Sequence, residues 1–528
     1  MRKLNFYKTI EKDDLKLSFT SYLRKRPELE AKRSEIQMAL SKIVGEEDVV
    51  TDESRLLSYH YSLLPGGIPL RRTTVAKGQY IIVMADFAVY PETTEEVQEI
   101  VKLANQYIIP VVPFAGGSGL GITAPSGGII LDLKKLDRII DIDEISHTVT
   151  VEAGIYVFDL ENELNKRGFE LEHYPASYFC SCIGGFIGDR SAGRLSTKYG
   201  KIEKMVLGMK VVLPNGKLID TPKVPGHAAG PDLNNLFIGM GGTLGVTTEV
   251  TLKIYPKPEK RTFRSFLLPD LDNGFEAMRK IMQEDLNPCM ARLYDPIETN
   301  SQLFKYHLVT PPSREKLESM TGSCYLIIGF DGKEELVDLM HQWAMEILQQ
   351  HGATDLGFDE GQFWWDHSLD DYYKGLGRPT RQSEFFSEDT PYTGGVFDYI
   401  VPMKYISQIW KETSEALKKA FPKSILYGHF SHWYKTATMM YPMVYIWDLP
   451  DEPREIARAY FKAQAICLEP VYKYGGAFQH HHGVGRIYAY QMPKQWGKGG
   501  FEALRAIKDA LDPNNIMNPG NLGFEVKK

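Results

Sequence analysis

Three histidines stand side by side at His480, His481 and His482, and Gly483-Val484-Gly485-Arg486 follows at once. Imidazole is the side chain whose ordinary titration falls near neutral pH, so the run equips a loop for acid and base work or for holding a metal ion. Burying adjacent imidazoles is costly unless each finds a partner, which argues against a merely ornamental loop. The glycines let the backbone turn sharply and come close to whatever the rings face.

Bare backbone supplies a second chemistry. Phe114-Ala115-Gly116-Gly117-Ser118-Gly119-Leu120-Gly121 follows a β-branched run at 109–113. Such a strand-to-loop exit can gather N–H groups around a phosphate. Residue 122 is Ile where the G-x-G-x-x-G fingerprint needs its third glycine, and no lysine follows in P-loop register. Further clusters stand at Gly184, Gly185, Gly188 and Gly193, and at Gly239, Gly241, Gly242 and Gly245. One cluster is ordinarily a tight turn. Three in succession suggest a long ligand in backbone-lined grooves, as a pyrophosphate-bridged cofactor would be. Cys180 and Cys182 have no third or fourth ligand at zinc or iron–sulfur spacing, so they read as small buried thiols.

These groups need elements to hold them. Thr93-Thr94-Glu95-Glu96 caps a helix whose Val97, Ile100, Val101 and Ala104 fall at helical spacing. Residues 81–84, 88–90, 109–113, 129–133, 149–151 and 248–252 read as strands, 157–166 as a helix, and 211–219 as a hairpin around Asn215-Gly216. Longer helical stretches and aromatic clusters such as Phe363-Trp364-Trp365 mark 260–470. Residues 14–45, with Leu15, Leu17, Phe19 and Leu23 among Lys and Arg, read as a helix on the outside of a domain or on a membrane surface.

At 528 residues the chain is too long for one core. Its 43% hydrophobic and 24% charged residues are those of an ordinary globular protein, and a net charge of −7 argues against nucleic acid as a partner. Five scattered cysteines do not make a disulfide framework. No apolar run reaches the ~18 residues of a membrane span, and the N-terminus lacks the apolar core of a secretory signal. A cytoplasmic location is expected.

The ordered set of Pro113 to Gly119, Pro175, Ile183-Gly184-Gly185 and Gly239 to Gly245 resembles the FAD-binding domain of the vanillyl-alcohol-oxidase/PCMH flavoproteins over residues 88–257. Asp512-Pro513 and Asn518-Pro519-Gly520 resemble that family's closing element. The resemblance implies an α+β fold. An N-terminal helical extension (1–50) precedes a two-subdomain FAD-binding domain (51–257). An α/β cap for the substrate (258–470) and a C-terminal segment (471–528) bring the histidine loop to the flavin. It further implies that FAD is bound by Pro113, Phe114, Ala115, Gly116, Gly117, Ser118 and Gly119, by Pro175, Ala176 and Ser177, by Cys182, Ile183, Gly184, Gly185, Gly188 and Gly193, and by Gly242, Thr243, Gly245 and Val246. The first loop contains neither His nor Cys, so non-covalent FAD is expected.

The cap resembles the alkyldihydroxyacetonephosphate synthase branch of that family. Its His-His-His-Gly-Val-Gly loop matches residues 480–485, Arg292-Leu293-Tyr294-Asp295 its arginine motif, Tyr441 its tyrosine, and His173-Tyr174-Pro175 its His-Glu-Pro stretch. That implies an FAD-dependent exchange of the acyl group of acyl-dihydroxyacetone phosphate for a fatty alcohol, by way of a flavin adduct. His480, His481, His482, Tyr441, Arg292 and His173 would serve it, with no metal. Met439, Met440, Tyr441, Met443 and Trp447 supply either a greasy channel or ordinary core. The chain departs from the branch at Ala176, at Met240-Gly241-Gly242, and in a second arginine for which only Arg378 and Arg381 stand nearby. The alternative is an FAD-linked oxidase or dehydrogenase of a D-2-hydroxy acid. Relatives of that kind carry Gly-His with a second His seven residues on; here Gly428-His429 is present, but Thr436 and His481 replace two ligands. His429 and His432 leave room for an unorthodox metal site. A lipid-like or small-molecule substrate, a homodimer and peripheral membrane contact complete the expectations.

Overall fold

A computed structural model describes residues 17–21, 23–60, 80–119, 127–307, 322–370, 392–450 and 453–524. The expectations for Leu15, Leu120, Gly121, Arg378 and Arg381 lie outside the described residues.

The first layer is a four-stranded sheet in the order Val49–Val50, Phe87–Val89, Ile129–Asp132, Val111–Phe114, its last three strands parallel. Parallel neighbours need a crossover, and helix Thr94–Tyr107 supplies it. Thr93 caps that helix by accepting a hydrogen bond from the Glu96 N–H at 3.1 Å. Its Val97, Ile100, Val101 and Ala104 are fully buried in the core of this layer. The charged N-terminal stretch differs from its reading. Leu17–Ser21 is a strand parallel to Tyr80–Met84, and helix begins only at Pro27–Glu30 and Arg33–Val44. Pairing with a distant strand overrides local helix propensity there.

The second layer is a five-stranded antiparallel sheet in the order Leu218–Asp220, Val206–Val212, Val246–Lys253, Thr148–Glu152, Ile139–Asp143. Gly216, at φ +77°, closes the first hairpin as the Asn-Gly pair predicts. Helix Val157–Lys166 packs Val157, Leu160 and Leu164 into its core.

The third unit is built on a nine-stranded antiparallel sheet. Its order is Thr354–Gly357, Lys260–Leu268, Cys324–Gly332, Met290–Tyr294, Ser424–Ser431, Ala437–Trp447, Tyr399–Pro402, Ala477–Phe478, with Tyr392–Val396 also paired to Ala437–Trp447. Helices Leu271–Gln283, Glu334–Gln350, Ile406–Ala420 and Pro453–Lys473 share its main core. The helices were legible; the size of the sheet was not. Cys324–Gly332 is buried along nearly its whole length, so it shows no alternation of apolar and polar residues. No helix among the described residues is long and apolar enough to cross a membrane.

Candidate active site

A cleft opens where strand Val111–Phe114 gives way to its glycine loop. Pro113 to Gly119, Pro175, Ala176, Ser177, Cys182, Gly184, Gly185, Gly188, Gly242 and Gly245 all line it. Its empty volume, open mouth included, is about 1620 Å³. The walls meet backbone to backbone. A Cβ on Gly116 would lie 2.3 Å from the Cys180 carbonyl, and one on Gly242 would lie 2.8 Å from the Pro113 ring. Gly185 is different: a Cβ there would meet nothing within 4 Å, so bare backbone keeps that part of the cleft open.

The C-terminal segment locks this arrangement. Met517 bridges Val111 in parallel, with the Val111 N–H donating to Ile516 at 2.7 Å and the Asn518 N–H to Val111 at 2.8 Å. Asn518 and Asn521 donate side-chain N–H groups to the Gly241 carbonyl at 2.7 and 3.2 Å. Buried Lys508 pairs with Asp512 and donates to the carbonyls of Thr243 and Met517, each at 2.8 Å. The closing element thus holds the third glycine loop against strand Val111–Phe114.

The histidine loop enters from the cap side. His481 and His482 line the cleft; His480 does not. His480 is turned inward, with Nε2 2.8 Å from the Tyr434 hydroxyl, Nδ1 3.0 Å from His481 Nδ1, and its carbonyl accepting from buried Lys201. Tyr441 stands beside the loop, its ring 5.6 Å from that of His482 and 6.4 Å from that of His481. Sheet register brings the other cap groups there. His429 lies opposite both Tyr441 and Tyr294, and Arg292 lies opposite Ser431. The His429 ring stacks on Tyr441 at 4.6 Å, and its Nδ1 is 3.1 Å from both Glu298 carboxylate oxygens. The Arg292 guanidinium sits 5.5 Å from the centre of the Trp364 ring.

Electrostatics give these rings one state. Burial first, then the charge of Arg292, drives His429 and His432 well below the ordinary imidazole range. Burial and Lys201 do the same to His480, and burial with the neighbouring histidines to His481. Burial also raises the Tyr441 hydroxyl above its usual value. At neutral pH His429, His432, His480 and His481 are therefore neutral imidazoles beside a protonated phenol. Two groupings bring possible metal-ligand atoms within 4.8 Å of one another: His432, His480 and His481, and Asp398, His481 and His482.

Not every residue singled out in the sequence reaches the cleft. Ile183 and Val246 are fully buried core residues. Thr243 donates its hydroxyl to the Met240 carbonyl at 2.7 Å and braces the loop from behind. Gly193 is needed for close packing, since a Cβ there would fall 2.5 Å from the Tyr174 nitrogen. His173 is one layer back, its Nε2 2.9 Å from Ser191 Oγ and its ring 4.6 Å from Phe186; Ser191 and Phe186 line the cleft. Met439 and Met440 are core residues, whereas Tyr441, Met443, Tyr445 and Trp447 alternate along one half-buried face of their strand. Sequence reasoning missed Asp398, fully buried beneath the histidine loop, and Asp189, on the cleft wall. Burial pushes the Asp189 carboxyl up to about 7, against the charge of His482. Neither aspartate sits in a pattern that spacing alone would reveal.

Two α+β layers around a glycine-lined cleft, closed by an antiparallel cap, define a flavin-binding enzyme fold. The chain belongs to the FAD-linked oxidase family: the model of the FAD-linked oxidase C-terminal domain matches residues 257–522, and that of the FAD binding domain matches residues 85–222. Alkyldihydroxyacetonephosphate synthase of Dictyostelium discoideum is 27% identical over 84% of this chain and 74% of its own length. An uncharacterized FAD-linked oxidoreductase of Escherichia coli, YgcU, is 29% identical over 94% of this chain and 99% of its own. Glycolate oxidase subunit GlcD of Bacillus subtilis is 28% identical over 83% and 89%. A solved alkyldihydroxyacetonephosphate synthase shares the fold with a TM-score of 0.72 at 24% identity, covering 92% of this chain and 84% of that one. The protein is an FAD-dependent enzyme, and the open backbone at Gly185 suits the cofactor: the cleft is long, glycine-walled and free of side-chain obstruction there.

Proposed function

We propose that this enzyme exchanges the acyl group of acyl-dihydroxyacetone phosphate for a fatty alcohol, releasing a fatty acid and leaving an ether. The observation that carries this reading is the apolar face that starts at Tyr441. Met443, Tyr445 and Trp447 continue it along the strand, Tyr427 and Val396 flank Met443 in register, and the Tyr427 and Tyr445 rings stack at 6.0 Å. A strip of this kind, leading away from the histidine loop, suits a long alkyl chain better than a small hydroxy acid. FAD, held non-covalently along the glycine-walled cleft, would supply an electrophilic ring system for the exchange. His481, a neutral imidazole on the cleft wall, takes the proton beside the substrate carbonyl. Tyr441 holds or returns a proton at the departing oxygen, and Arg292 receives the phosphate or the leaving carboxylate. His482 completes the polar wall, while His480 and His173 support it from behind.

The test is product analysis. Holoenzyme incubated with acyl-dihydroxyacetone phosphate and a fatty alcohol should release free fatty acid and form the alkyl ether, seen by mass spectrometry. Absence of both products removes this reading. A second reading, FAD-linked oxidation of a D-2-hydroxy acid, is favoured by the metal-capable grouping of His432, His480 and His481 and by the similarity to the glycolate oxidase subunit. Against it, Thr436 is exposed at the turn where such enzymes would need a second histidine.

A further inference from the structure

We propose that Asp398 is the positioning residue of the histidine loop, clamping its backbone and setting a buried carboxylate against the His481 and His482 rings. The inference concerns the same site as the proposed exchange, but holds for any proton transfer performed there. Asp398 precedes strand Tyr399–Pro402 and is fully buried. Its Oδ2 accepts the backbone N–H of His481 at 2.7 Å and of His482 at 3.2 Å. Its backbone carbonyl accepts the His480 N–H at 3.2 Å. With the Gln479 amide oriented to satisfy its neighbours, that side chain donates to Asp398 Oδ1 at 2.8 Å and to the Gly483 carbonyl at 2.9 Å. One residue thus engages four consecutive positions, 479 to 482.

The imidazoles meet the same carboxylate. His482 Nδ1 lies 3.1 Å from Asp398 Oδ1, and His481 Nδ1 lies 3.4 Å from Oδ2. The His482 contact is one of charge proximity, since its Nδ1 makes no hydrogen bond, and both rings are held by the loop backbone that Asp398 clamps. His481 and His482 both line the cleft, so the clamp sets the rings that a ligand meets. His481 shares its Nδ1 between Asp398 and His480, which makes its orientation dependent on both. Burial by itself would raise the Asp398 carboxyl, yet His482, His481 and the His481 N–H outweigh it and hold the group at about 2. Backbone strain at Gln479, φ +59°, marks the entry to the loop that the clamp holds in place.

The experiment compares Asp398→Asn, Asp398→Glu, His482→Ala and the Asp398→Asn/His482→Ala double variant as FAD-loaded proteins. Asp398→Asn should retain flavin while kcat falls about 10–100-fold with little change in KM, the size of loss usual when an orienting partner is removed. Asp398→Glu should recover part of that loss. The double variant should lose less than the two single losses multiplied together, because Asp398 acts in part through that ring. A crystal structure of the Asp398→Asn holoenzyme should show residues 479–483 displaced, a readout that needs no substrate and so separates this claim from the proposed exchange. Wild-type kcat in Asp398→Asn, an unmoved loop, or additive losses in the double variant would each overturn the assignment. So would loss of flavin in both Asp398→Asn and Asp398→Glu, which would make the residue a scaffold only.

Discussion

At the scale of single residues, the site is a collection of neutral bases rather than charged acids. Burial costs the imidazolium form more than the imidazole, so His429, His432, His480 and His481 keep free lone pairs at neutral pH. Replacing His481 and His482 together by alanine should leave flavin absorbance intact and lower turnover by about 10²–10⁴-fold, the range for loss of general-base help. Full activity in that variant would discharge the loop from chemistry. Tyr441→Phe should slow turnover by about 10-fold or more while keeping the aromatic stack on His429; an unchanged rate would leave the ring a packing role. The triplet was legible because three adjacent imidazoles are improbable in a core. Asp398 was not, since a lone aspartate in Phe397-Asp398-Tyr399 acquires meaning only when strand Tyr399–Pro402 pairs with Ala477–Phe478 and sets the loop above it.

At the scale of elements, glycine loops do the binding and registered strands deliver the chemistry. The loops could be read from sequence because glycine marks close backbone approach. The structure separates their duties: Gly116 and Gly242 pack wall to wall, while Gly185 faces open space. Gly185→Leu should therefore fold, melt within a few degrees of wild type without cofactor, and purify with FAD absorbance reduced several-fold. Normal flavin content would place the ligand elsewhere. The cap sheet was less legible. Ser424–Ser431 and Ala437–Trp447 mix Gly, His, Tyr and Met, and both faces of the second strand carry mostly apolar residues, so their sequences do not alternate even where their burial does. Only the observed register shows that Arg292, His429 and Tyr441 converge, and that Met439 and Met440 turn away from the apolar strip.

At the scale of the whole molecule, buried titratable groups impose a pH window on stability. Burial raises Glu161 to about 7 and Asp295 to about 8, and depresses His173 to about 3 and His341 to about 4. The unfolded chain binds fewer protons at these carboxylates between the ordinary carboxylate range and pH 7–8, so stability falls as pH rises through that interval. The unfolded chain binds more protons at these histidines below about 6.5, so stability is lost as pH falls. The two trends oppose each other between about 4.5 and 6.5; outside that interval each acts alone. The melting temperature of the holoenzyme should therefore drop between pH 6.5 and 8, and drop again below about pH 4.5; a flat profile from 6.5 to 8 would contradict the burial assigned to Glu161 and Asp295. Across this scale, fold class and cofactor were legible in the glycine clusters and the closing Asp512-Pro513. The use made of the flavin is decided by the cleft. The most direct measurement is flavin absorbance of the anaerobic holoenzyme during addition of a D-2-hydroxy-acid panel and then of acyl-dihydroxyacetone phosphate. The account predicts no bleaching by the hydroxy acids and a spectral change with the acyl phosphate. Bleaching by a hydroxy acid, with silence toward the acyl phosphate, would contradict it.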